Sequence, residues 1–236
     1  MNVVMFNGSP HPEGVIAAGF EIIKAELAAA GIGTDVIQVG GKPVRGCIDC
    51  GGCRKAPKGP PSGAAQGEKA AASPSGTRGL DGVGCVLKDD GPHAGFVNEC
   101  RRKVEAADGV ILGSPVYYGG IAGNYKCFLD RLFFQGTRLD YKPAAVVASL
   151  RRSGGIATYH QLGNYLTLAG AVIVPTCYWN VIHGNTPDEL AEDMEAVSIM
   201  KVIGKNMAWL LRSLDAAKKT VPLPEHERRN WTNFIH

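Results

Sequence analysis

No stretch of the sequence approaches the roughly 20 consecutive apolar residues of a membrane span, and its start carries neither a basic n-region nor a long apolar h-region. A soluble, cytoplasmic protein with no membrane partner is the expectation. Dense basic runs are missing too: 25 Lys and Arg stand against 22 Asp and Glu for a formal charge of +3, so nucleic acid is not an expected partner. There is no G-x-x-x-x-G-K-[ST], which leaves a P-loop nucleotidase unsupported, and no G-x-G-x-x-G follows the first apolar run, so the dinucleotide fingerprint is absent. Neither a nucleophile triad nor a carboxylate pair stands out. His93, His160 and His226 share no metal-ligand spacing, and the glycosylation-type triplet at Asn230 has no bearing without secretion.

What is present is enough apolar material, 45% of 236 residues, to bury the core of one domain. Short apolar runs at Val3–Phe6, Thr34–Val39, Gly109–Gly113, Ala144–Ser149 and Ala171–Pro175 alternate with helical periodicity at Val15–Ala30, Phe96–Ala106, Ala122–Phe134, Ile156–Ala169 and Asp188–Leu214. That interleaving predicts an α/β fold: a flavodoxin-like, doubly wound, five-stranded parallel sheet, order 2-1-3-4-5, with helices on both faces. Its ligand belongs at the carboxyl ends of the strands, by the switch point. The domain is expected to span 1–221 with a C-terminal arm at 222–236, where Trp231 and Phe234 either pack on a neighbouring subunit or belong to a frayed end. From Arg54 to Gly84 the chain is rich in Gly, Pro, Ala and Ser and has no aromatic residue, so it reads as a mobile insertion, either simply tolerated or serving as a lid or partner-binding loop.

Three loops at the strand ends carry the chemistry. After strand 1, Gly8, Ser9 and Gly14 allow a tight turn before a helix whose N–H groups face the strand ends, a ready anion site, although Gly and Ser there are also ordinary turn residues. After strand 3, Pro115, Val116, Tyr117, Tyr118 and Gly119 make an aromatic, Gly-bearing turn suited to a flat ligand. After strand 4, "ASLRRSGG" adds Arg151, Arg152, Ser153, Gly154 and Gly155. Together they form a cleft for an aromatic phosphate ester. His183 is read as a structural loop histidine or a donor to ligand, and Asp89 and Asp90 as caps of a helix starting near Ala94 or as lining of a substrate path.

The 7 cysteines are an odd count, so a disulfide framework is disfavoured. Cys47, Cys50 and Cys53 have C-x-x-C-x-x-C spacing, which can aim thiolates at one iron–sulfur cluster. The next cysteine, Cys85, lies beyond the insertion, which a flexible loop can still close. Cys100, Cys127 and Cys177 fall on predicted helices or strands and read as core fillers.

With "NGSPHPEG", "CIDCGGC", "CVLKDD", "GSPVYYGG", "DRL", "RRSGG" and "CYWNVIHG", the chain resembles the NAD(P)H-dependent FMN reductases of flavodoxin-like fold, particularly the branch that includes the iron–sulfur flavoproteins. The resemblance covers nearly everything except Arg54–Gly84. It implies FMN as cofactor, its phosphate held by Ser9, by His11 where relatives usually carry Arg, and by the backbone of Gly14, Val15 and Ile16. Relatives usually hold Asn and Thr at the last two positions, so weaker FMN binding than usual is expected, by about 0.5–1.5 kcal/mol for each missing hydrogen bond. The ring is implied to lie against Pro115, Val116, Tyr117, Tyr118 and Gly119 on one side and Arg151, Arg152, Gly154 and Gly155 on the other. NAD(P)H is the implied co-substrate and a quinone, flavin or other small molecule the acceptor. No catalytic acid or base is demanded, since hydride transfer needs stacking geometry. Cys47, Cys50, Cys53 and Cys85 are the implied ligands of a [4Fe–4S] cluster; zinc, or thiols that shape a loop or meet oxidants, are the other readings. A homodimer or homotetramer is implied. Two alternatives to the reductase stand: an iron–sulfur flavoprotein electron carrier, and a flavin-less redox-sensing or binding module.

Overall fold

The computed structural model describes residues 1–54, 84–88, 95–225, 232 and 234. Most of the insertion, together with Asp89, Asp90, His93, His226, Asn230 and Trp231, lies outside the described residues.

Five parallel positions build the sheet in the expected order. β1 (Asn2–Asn7) pairs on one side with β2 (Gly33–Gln38) and on the other with β3 (Gly109–Tyr117). β3 pairs in turn with β5 (Pro143–Leu150). Both faces of β1, β3 and β5 are apolar, as strands covered on each side require, while the edge strand β2 gives only Ile37 to the core. Val4, Phe6, Val110, Leu112, Ala144 and Val146 enter one core, while their chain neighbours Val3, Met5, Ile111, Ala145 and Val147 enter the other. α2 (Phe96–Ala106), α3 (Gly123–Phe134) and α4 (Gly155–Leu168) cover the first core. α1 (Val15–Ala29) and α6 (Met194–Ala217) cover the second.

The flavodoxin-like fold class stands, with seven strands in place of five. The expected fifth strand at Ala171–Pro175 is only β6 (Val172–Ile173), and a second piece, β7 (Val181–His183), pairs further along the same edge of β5. Between them the chain leaves the ladder and is held by buried Asn180, whose Nδ2 donates to Val146 O at 3.0 Å and whose O accepts from Ala148 N at 3.0 Å. The other added strand is β4 (Gly120–Ile121). β3 does not end at Ser114–Pro115 but runs to Tyr117, and Tyr118 (φ 52°) and Gly119 (φ 78°) turn it into an antiparallel hairpin with β4. Positive φ at both central positions matches the right-handed twist of the strands.

Other boundaries shift by local chemistry. α2 begins at Phe96, as its periodicity predicts, with Gly95 as its N-cap and no side-chain cap; the capping role read for Asp89 and Asp90 lies outside the described residues. The predicted helix from Asp188 breaks into α5 (Pro187–Glu192) and α6, because Asp193 ends one and caps the other by accepting from Ala196 N at 3.0 Å. Cys177 is exposed in the irregular stretch between β6 and β7, so it is no core filler; Cys100 is buried and Cys127 half-buried. Among the described residues, no helix is long and apolar enough to cross a membrane.

Candidate functional site

At the carboxyl end of β1 the loop is wired to itself. Ser9 N–H donates to Asn7 Oδ1 at 2.9 Å, His11 N–H to Ser9 Oγ at 3.1 Å and Gly14 N–H to His11 O at 3.2 Å. Gly14 is the N-cap of α1 and no side chain caps that helix. The first-turn N–H groups of Val15, Ile16 and Ala17 therefore face the strand ends with the positive end of the dipole and no intrahelical partner. Val15 and Ile16 turn their side chains into the second core, where they are 7% and 0% exposed. The apolar residues that replace expected donors thus serve packing, while their backbone donors stay in place. His11 is exposed beside this turn.

The sheet joins this loop to the next two. Gly8 N–H donates to Gly113 O at 2.8 Å, carrying the β1–β3 pairing to the edge. Beyond it Pro115 and Val116 are half-buried, Tyr117 is 46% exposed, and Tyr118 stands wholly in solvent at the hairpin tip. Ser114 fixes the hairpin from inside, donating to Pro115 O at 2.8 Å and accepting from Ala122 N at 3.2 Å. The loop after β5 presses on this hairpin: a Cβ on Gly154 (φ 93°) would meet Val116 Cγ1 at 2.8 Å and Gly119 Cα at 3.0 Å. Only glycine permits both that angle and that approach. Arg151 and Arg152 are exposed at its rim. On the far side of this loop a pocket of about 320 Å³ is lined by Arg152, Gly154, Gly155, Tyr178, Trp179 and His183, among others. His183 Nδ1 lies 3.6 Å from Asp193 Oδ2, and its N–H donates to the same carboxylate at 2.9 Å.

The second constellation is the cysteines. Cys47, Cys50, Cys53 and Cys85 line one cavity together with Arg131 and Gln135 of α3 and its C-cap. Cys85 thus returns to the triplet from across the insertion, and nonlocal contacts hold it there. Its N–H is shared by Asn98 Oδ1 (2.8 Å) and Gln135 Oε1 (2.9 Å), its carbonyl accepts from Asn98 Nδ2 (2.9 Å), and its Sγ accepts from Arg131 Nε (3.3 Å). Arg131 is 2% exposed and also donates to Arg45 O at 3.2 Å and Leu87 O at 2.9 Å, tying both cysteine segments to α3. Between Cys50 and Cys53 the chain turns through Gly51 (φ 67°), and Gly52 packs so closely on Val86 that a Cβ would lie 2.3 Å from its Cγ2. Burial pushes the Cys53 thiol up, opposed by its backbone hydrogen bond. Among the described residues, no three His, Cys, Asp or Glu side chains group closely enough to hold a single metal ion.

Arg131, Gln135 and Asn98 were not singled out for the cysteine site in the sequence, yet two of them carried a signal. Phe128, Arg131, Leu132 and Gln135 recur at helical spacing along the buried side of α3, and a charge and an amide on an apolar stripe need internal partners.

The profile of the family described as NADPH-dependent FMN reductase matches residues 1–186. The chain is similar to an iron-sulfur flavoprotein of Methanocaldococcus jannaschii, 27% identical over 222 residues that cover 90% of this chain and 98% of the relative. Its fold is that of RosB, solved with a bound 8-demethyl-8-formylriboflavin-5'-phosphate intermediate (TM-score 0.63, 13% identity, covering 100% of this chain and 93% of that one). It also matches flavodoxin 1 of Bacillus cereus (TM-score 0.51, 15% identity, 89% and 98% covered).

Proposed function

The chain belongs to the NADPH-dependent FMN reductase family, a family of flavin-dependent oxidoreductases, and from that premise we propose that it is an NAD(P)H-linked reductase of a quinone, a flavin or another small acceptor, with FMN as its resident cofactor. The observation that carries this reading is the contiguity of three loops over β1, β3 and β5, with an uncapped helix N-terminus at one end and an aromatic hairpin pressed against a glycine loop at the other. A phosphate fits the first and a flat ring the second.

FMN, when bound, supplies the hydride chemistry. The chain's own groups do the rest. The N–H groups of Val15 and Ile16 and the hydroxyl of Ser9 donate to a phosphate, with His11 beside them. Pro115, Val116, Tyr117, Tyr118 and Gly119 border one side of the ring, and Gly154 and Gly155, with no side chains of their own, bring the backbone of their loop close against that hairpin. Donors there favour negative charge on the ring edge that they face. Arg151 and Arg152 at the rim attract an anionic co-substrate. A homodimer or homotetramer belongs to the same proposal.

A second reading, an electron carrier with a [4Fe–4S] cluster, is favoured by one observation: four thiols line a single cavity, with a buried guanidinium donating to one of them. The donor set fits such a cluster, whose corners need four separate thiolates, better than it fits one zinc ion. The relative's name points the same way. Visible absorption of protein prepared without oxygen, before and after adding FMN, tests both readings. Bound flavin with NAD(P)H turnover supports the reductase; flavin with iron and acid-labile sulfide supports the carrier. A colourless protein that ignores FMN would leave the flavin-less module.

A further inference from the structure

Gln135 combines burial, a fixed orientation and an unused donor. It is 8% exposed and its Nε2 has no hydrogen-bond partner among the described residues, although it lies in the wall of the cavity that the four thiols share. The amide cannot be turned over to relieve this. Its Oε1 accepts from Cys85 N–H at 2.9 Å, and a flip would set one N–H against another. A buried, unsatisfied N–H is costly and calls for a reason.

We infer that Gln135 is a positioning residue of the cysteine site: its Nε2–H is a donor to a cysteine sulfur there, and with Arg131 it sets the reduction potential of the iron–sulfur cluster that these cysteines hold. This rests on the carrier reading given above. Arg131 shows that the same wall already donates to sulfur, through Nε to Cys85 Sγ at 3.3 Å. The thiols change from weak to strong acceptors once they are thiolates, so the orphaned N–H gains its partner only in the loaded protein. Val86, Leu87 and Phe134 add apolar groups to the wall, which favours such a dipole, while Asp49 is the one carboxylate lining the cavity among the described residues and is paired with Arg54 at 3.3 Å. Gaining one electron makes the sulfurs more negative. A donor aimed at them therefore stabilises the reduced form and raises the potential.

The test uses the full chain, reconstituted with iron and sulfide without oxygen, as wild type, Gln135→Met and Gln135→Glu. The first removes the amide at similar length; Cys85 N–H keeps Asn98 as partner. The second keeps an acceptor for Cys85 N–H, removes the donor and adds a carboxylate charge that by itself lowers the potential. Iron and sulfide content is measured together with an EPR-monitored redox titration. Full cluster content with the reduction equilibrium weakened about tenfold, a fall of about 59 mV for one electron, is the expected result in Gln135→Met, with a fall at least as large in Gln135→Glu. Full content with an unmoved potential overturns the inference while leaving the carrier reading intact. If Gln135→Met fails to hold the cluster, Gln135→Leu, which also removes the donor without adding charge, takes its place, and an unmoved potential there overturns the inference. Wild-type chain that takes up neither iron nor sulfide overturns the carrier reading and this inference with it.

Discussion

Val15→Asn separates the two jobs of the first helical turn. Val15 is 7% exposed and packs in the core behind α1, so exchanging it for Asn sacrifices the burial of an apolar side chain, about 1.5–2 kcal/mol of stability in the flavin-free protein. The same change supplies a side-chain amide that, turned out of the core, stands beside the uncapped N–H groups of α1. With a phosphate seated there, the added hydrogen bond is worth about 0.5–1.5 kcal/mol, so the FMN dissociation constant falls roughly two- to tenfold. Stability and affinity should therefore move in opposite directions. The assay is quenching of flavin fluorescence at fixed salt, run in parallel with FMN and with riboflavin, which lacks the phosphate; thermal melting of the flavin-free chain reports the stability cost. Tighter FMN binding with unchanged riboflavin binding is expected. If a folded variant binds FMN no better, or gains equally for riboflavin, then the phosphate does not sit over α1 and the placement of the cofactor is refuted.

Three further outcomes follow from the geometry. Burial, with the Asp130 carboxylate accepting its hydroxyl, pushes the Tyr165 phenol up from 10.0 to about 12. The folded state then keeps a proton that the unfolded chain has lost, so this contribution is complete below pH 10 and drains away as pH rises towards 12, at up to about 1.4 kcal/mol per pH unit. Urea titrations across that window should show a flatter decline for Tyr165→Phe than for wild type, and parallel curves would refute the assignment. Gly52→Ala drives a Cβ into Val86, which separates the Cys50–Cys53 turn from the Cys85 segment; iron uptake on reconstitution should drop severalfold with the FMN affinity unchanged, and full uptake would show that the close packing is dispensable. Alkylation of the metal-free chain at pH 8, mapped by mass spectrometry, should label exposed Cys177 early and leave Cys100 unlabelled until unfolding, since burial pushes the Cys100 thiol up to about 12; comparable rates would contradict that burial.

The parts of this architecture that the sequence discloses are those written in local periodicity. β1, β3 and β5 are continuous apolar runs because both of their faces are covered, and the helices between them repeat their buried positions within a few residues. The broken outer strand was hidden for the opposite reason. Its two pieces are held in place by Asn180 bonding to Val146 and Ala148, some thirty residues earlier in the chain, and nothing in Ala171–Pro175 announces that the ladder stops after Ile173. The hairpin after β3 looks like a simple turn in the sequence because β4 is only two residues long.

The same contrast governs the two candidate sites. At the phosphate loop, the absence of Asn and Thr reads as a loss when positions are judged by side chain. Helix geometry supplies the N–H donors whatever the side chain, so Val15 and Ile16 can be committed to the core without removing those donors. At the cysteine site the logic runs the other way. C-x-x-C-x-x-C spacing is visible at once, but whether Cys85 joins it depends on Asn98, Arg131 and Gln135, which hold its backbone and sulfur from α2, α3 and the α3 C-cap. Those contacts fix the far end of the insertion independently of its length, so the loop-closure cost is met by the folded scaffold and not by the residues of the loop. A buried Arg and Gln on the apolar stripe of α3 are the sequence trace of that arrangement: they would be costly anywhere that lacked a carbonyl, an amide or a sulfur to receive them.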